Sequence, residues 1–95
     1  MMLMAFATLR VSAQEKVVLE EVFKTSYTLE NNAEYGKAIE ALKKVYDESS
    51  YEINLRLGWL TYQAGWFTES IAFYNKSIQL MPMSVEARLG FVLPA

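Results

Sequence analysis

The sequence predicts an all-α fold of antiparallel helix-turn-helix units stacked as a short α-solenoid. Three observations carry that prediction. From Val17 onward the apolar residues recur at helical spacing, with no sustained alternation of the kind that marks a half-buried strand. Turn and stop signals cut the chain into pieces of helix length: Asn31-Asn32, then Asp47-Glu48-Ser49-Ser50, then Gly65 and Pro82. One half of the chain also resembles the other, because Glu34-Tyr35-Gly36-Lys37-Ala38-Ile39 aligns with Trp66-Phe67-Thr68-Glu69-Ser70-Ile71 thirty-two residues later.

These signals place four helices at about 18–31, 34–47, 52–64 and 67–80, and a fifth that opens near Val85. Gly65 supplies the left-handed conformation that ends a helix without strain, and Pro82 cannot continue one. Paired helices approach closely only where one presents almost no side chain. Gly58 and Ser26 on the first helices are therefore expected to face Ser70 and Ala38 on the second, while Leu57, Phe67, Ile71, Tyr74 and Ile78 fill the core and the seam to the next unit.

Residues 1–13 read differently from the rest. Met1 to Leu9 is apolar except for Thr8, and Val11-Ser12-Ala13 then gives way to Gln14-Glu15-Lys16, the order of the back half of a secretory signal peptide cut after Ala13. No basic residue precedes the apolar run and Arg10 interrupts it, which leaves a second reading open: a capping helix with Leu3, Phe6, Leu9 and Ala13 on one stripe. The run is about half of the ~20 residues that cross a bilayer, so no stable membrane span is expected.

Composition narrows the function. Apolar residues make up 53% of the 95 and charged residues 21%, an ordinary globular balance for one small domain. A chain of this size buries roughly 60–65% of its unfolded surface, so a neighbouring repeat or a partner is expected to complete its core. A net charge of −2 without a cluster of lysine or arginine speaks against nucleic acid as a partner. With no cysteine and no histidine, thiol nucleophiles, histidine bases and the zinc sites built from them are excluded. The carboxylate pairs Glu20-Glu21 and Asp47-Glu48 are sequence neighbours whose side chains diverge, and no glycine-rich phosphate loop occurs, so neither catalysis nor a cofactor is expected.

Leu57-Gly58, Tyr62, Gly65, Phe67, Ser70, Ile71, Tyr74, Ser77, Ile78, Leu80 and Pro82 together resemble one nearly complete tetratricopeptide (TPR) repeat over 51–84. Residues 19–50 are similar but degenerate, with Ser26 at the glycine position and no closing proline. Residues 85–95 look like the opening of a third repeat, which suggests that the natural protein continues. The TPR-like domain then spans 14–95. The resemblance implies a right-handed superhelix whose first helices line a concave side where peptides or partner helices dock. By position that side would carry Phe23 and Tyr27, with Glu20, Lys24 and Glu30, from the first repeat. The second would add Glu52, Leu55, Arg56, Trp59, Tyr62 and Gln63.

Aromatics three or four apart beside an arginine are the residue types that dominate binding energy. Some TPR domains clamp a terminal carboxylate with lysine and asparagine. Here Trp59 stands at an asparagine position and Arg56 is the one nearby cation, so an apolar or aromatic-containing peptide is the expected ligand. The other expectation is structural: a spacer or assembly module within a larger exported or envelope protein, whose unpaired last helix invites self-association. Export follows if residues 1–13 are a signal remnant, and a cytoplasmic location follows otherwise.

Overall fold

The computed structural model describes residues 13–94. The signal-peptide and capping-helix readings both fall on a segment of which 1–12 lie outside the described residues. Five α-helices and no strand are found among the described residues: α1 Ala13–Asn31, α2 Tyr35–Lys43, α3 Tyr51–Gln63, α4 Phe67–Leu80 and α5 Val85–Val92.

Helix α4 falls on the predicted residues and α3 is shifted by one. Helix α1 begins five residues before the predicted start at 18, because Glu15 and Lys16 are good helix formers that stay exposed and so leave no apolar periodic trace. Helix α2 stops at Lys43 instead of 47. Asp47 Oδ1 accepts from the Ser49 N–H at 2.9 Å and from Ser49 Oγ at 2.7 Å, a local turn that competes with helix. Those two bonds also hold the Asp47 carboxyl below its ordinary pKa.

The turns between paired helices share one geometry. After α3, Gly65 takes φ +81°, its N–H donates to the Tyr62 carbonyl at 3.0 Å and the Trp66 N–H donates to the Thr61 carbonyl at 2.8 Å. After α1, Ala33 takes φ +59°, with Ala33 N–H to the Glu30 carbonyl and Glu34 N–H to the Leu29 carbonyl, both at 2.8 Å. Both are the double-bonded αL termination of a helix. Ala33, whose Cβ makes that conformation strained, stands where the second turn has glycine.

Helices α3 and α4 form an antiparallel hairpin. The Tyr62 ring at the end of α3 lies 5.8 Å from that of Phe67 at the start of α4, and Ser70 Oγ donates to the Gly58 carbonyl at 2.7 Å. The start of α3 meets the chain beyond the end of α4 through Tyr51 Oη and Ser84 Oγ at 2.6 Å. A Cβ on Gly58 would stand 2.9 Å from the Tyr74 ring, and one on Gly90 would overlap the same ring, so Tyr74 is held between two bare backbones. Burial, then Glu86 and Tyr62 nearby, push the Tyr74 phenol up to about 12.

The central core is Ala38, Ile39 and Leu42 of α2 with Ile53, Leu57 and Leu60 of α3. Of the residues expected to fill core and seam, Leu57 and Tyr74 are buried, Ile71 and Ile78 are half-buried, and Phe67 is 50% exposed. Phe67 opens α4 at the hairpin tip, where it can cover Tyr62 but has no layer above it. Ser26 is buried as expected, but its hydroxyl donates to the Phe23 carbonyl at 2.7 Å and accepts from α3, so it is more than a spacer opposite Ala38. The loop 44–50 is pinned by fully buried Asn54, which accepts from Tyr46 Oη at 2.7 Å and donates to the Ser50 carbonyl at 2.8 Å.

Candidate binding groove

Alternate helices α1, α3 and α5 share one face, and it is not flat. A groove of about 430 Å³ is lined by Phe23 and Tyr27 of α1, by Glu52, Leu55, Arg56 and Trp59 of α3, and by Glu86 of α5. A second hollow of about 520 Å³ continues from it, sharing Leu55, Trp59 and Glu86 and ending on Leu89, Gly90, Val92 and Leu93. Six of the eight residues singled out from the sequence meet in the first hollow.

The other two do not line it. Tyr62 stacks beside Trp59 with ring centroids 6.0 Å apart and bridges to Phe67, extending the aromatic row toward the hairpin tip. Gln63 closes α3 and is half-buried. Of the accessory positions, Glu20 and Lys24 are exposed on α1.

The groove wall is fixed by a latch between α1 and α3. Arg56 Nη1 pairs with Glu30 Oε1 at 2.6 Å, and Trp59 Nε1 donates to Glu30 Oε2 at 2.7 Å. Arg56 Nε donates to Ser26 Oγ at 3.2 Å, and the guanidinium carbon lies 4.0 Å from the Tyr27 ring centroid. One carboxylate thus satisfies an arginine and an indole at once, and the aromatic ring that flanks the groove sits on the arginine. The Arg56 side chain is only 9% exposed, and its Nη2 is buried without a hydrogen-bond partner.

Sequence reading places Glu30 and Arg56 on the same face, with Arg56 as the one nearby cation, without pairing them. The structure commits that charge to Glu30. Among the described residues Glu52 and Glu86 make no ion pair, so the groove carries two uncompensated carboxylates.

The α5 half of the groove was missed. A signal for it exists, since Ser50 and Ser84 are N-caps thirty-four residues apart, each accepting from the N–H three residues on, at 3.2 Å from Ile53 and 3.1 Å from Ala87. That offset carries Glu52 onto Glu86 and Leu55 onto Leu89.

No cluster of three or more acidic side chains placed to hold a metal occurs among the described residues, and no helix there is long and apolar enough to cross a membrane. Neither family models, nor curated proteins, nor solved structures match this chain.

Proposed function

We propose that this chain is a non-catalytic interaction scaffold whose TPR-like repeats, stacked as a short solenoid, hold a peptide or helix of a protein partner. The observation that carries the reading is the continuous groove across α1, α3 and α5, with Phe23, Tyr27, Leu55, Arg56 and Trp59 gathered on it. A concave surface that joins aromatic anchors to a few fixed polar groups is the usual form of a binding site. The repeated capping serines and the common turn geometry support a repeat architecture, and each repeat contributes its first helix to the same face.

A second reading, a spacer or assembly module of a larger exported or envelope protein, draws support from α5. Val85, Leu89 and Val92 are each more than 60% exposed, and Leu93 is half exposed, which is an apolar face suited to a further helix or a second copy.

Selection of peptides from a random display library on the full chain tests the first reading. Peptides that enrich should lose at least about tenfold in affinity for a Leu55→Glu variant of unchanged helical content, since a charge in an apolar contact is strongly unfavourable. Failure to enrich any peptide, or equal binding by the variant, would remove the groove as the site and leave the assembly reading.

A further inference from the structure

The chemistry of the occupant follows from the charges left over in the groove, given the docking reading above. Arg56 is neutralised by Glu30, and the cation and its carboxylate are both turned inward, with side-chain exposures of 9% and 22%. What remains toward solvent is Glu52 of α3 and Glu86 of α5, which line the same groove as Leu55 and Trp59. Both sit in the first turn of their helices, where a carboxylate complements the helix dipole, and that local role would be served on any face. Their common face is set by the repeat offset, and it places both on the rim of the same apolar trough.

We propose that the groove binds a basic peptide segment of a partner protein. A lysine or arginine of the segment places its cation between Glu52 and Glu86, and apolar side chains beside it rest on Leu55, Trp59 and Leu89. The long aliphatic stem of a lysine or arginine suits that arrangement, because it packs on apolar surface while its head reaches a charged rim. An acidic segment would meet two like charges and no free cation among the residues that line the groove.

Synthetic peptides that share one leucine framework and carry lysine, glutamine or glutamate between the leucines provide the probe, titrated against the full chain by fluorescence anisotropy. The lysine peptide should bind about tenfold more tightly than the glutamine peptide, the product of two rim ion pairs of a few-fold each, and added salt should shrink that ratio. Glu52→Gln combined with Glu86→Gln should abolish the preference. Glu40→Gln combined with Glu48→Gln, which alters exposed carboxylates away from the groove, should leave it intact.

Equal binding of the lysine and glutamine peptides, or tighter binding of the glutamate peptide, overturns the charge assignment and keeps the docking groove. Binding of none of the three by a chain with full helical content overturns the docking reading as well.

Discussion

The two helical hairpins reach the same backbone turn by different means, and they are secured differently. In α3–α4 the turn residue is Gly65 and the helices close directly, with Ser70 bonded to the Gly58 carbonyl and Tyr74 laid over bare backbone. In α1–α2 the turn residue is Ala33, held at φ +59° against its preference. There α1 is tied across to α3 through Glu30, Arg56 and Trp59. Close packing secures the second hairpin, whereas in the first the apolar contacts of Leu19, Val22 and Leu29 with the core are joined by a polar latch to α3. The latch also shapes the groove, so the proposed docking face depends on the half of the fold that carries the polar contacts.

Substitutions that exchange these solutions should break the comparison in order of size. The largest effect is expected at Gly58→Leu, which drives a side chain into the Tyr74 ring where even a Cβ would stand at 2.9 Å. Overpacking of this kind costs about 3 kcal/mol or more, a large share of a small domain's stability. A thermal melt followed by circular dichroism should lose its cooperative step. A melt identical to the parent's would show that the hairpin does not depend on that contact.

Glu30→Ala comes next. It leaves the Arg56 charge, already 9% exposed, and the Trp59 indole without their acceptor, for a loss of about 3 kcal/mol by urea unfolding. Glu30→Leu combined with Arg56→Met should recover most of that loss, because the damage comes from an orphaned charge and not from the absence of a pair. A double variant as unstable as Glu30→Ala would assign the pair a net stabilising role.

An intermediate effect is expected from alkali. Below pH 10 the Tyr74 phenol is neutral in the folded and unfolded chain alike. Above it the unfolded chain releases the proton, while the folded chain keeps it until about 12. Stability is therefore whole below pH 10 and falls between 10 and 12, by about 1.4 kcal/mol per pH unit from this group. Tyr74→Phe should show a correspondingly shallower decline in urea titrations across that range. The smallest effect belongs to the turns: Ala33→Gly should stabilise by about 1 kcal/mol and Gly65→Ala should destabilise by a similar amount.

Much of this fold is written locally. Gly65 and Pro82 punctuate it, the apolar period from Phe67 to Leu80 gives α4 to the residue, and the small residues Gly58 and Ser70 mark a real crossing. What sequence reading misses depends on partners far along the chain. Glu30 and Arg56 are twenty-six residues apart, and only the docking of α1 on α3 turns one toward the other. Helix α2 ends in tighter three-residue turns, Val45 N–H to the Leu42 carbonyl and Tyr46 N–H to the Lys43 carbonyl, ahead of the Asp47 and Ser49 turn, and helical periodicity cannot register them. Phe67 has a core residue's chemistry, but its position at a hairpin tip leaves it half exposed. The groove was legible in part for the same reason: α3 supplies most of the predicted residues, and α5 enters only once its thirty-four-residue offset from α3 is seen.

The most direct measurement is a nitrogen–proton correlation spectrum of the full chain, titrated with the lysine-bearing leucine peptide. The Trp59 indole resonance and the amides of Phe23, Leu55 and Leu89 should shift together along one saturating curve, because they line one trough. Shifts confined to the far sides of α2 and α4, at Lys37 or Asn75 for example, or no shifts at all at saturating peptide, would contradict the claim that this face is where the protein meets its partner.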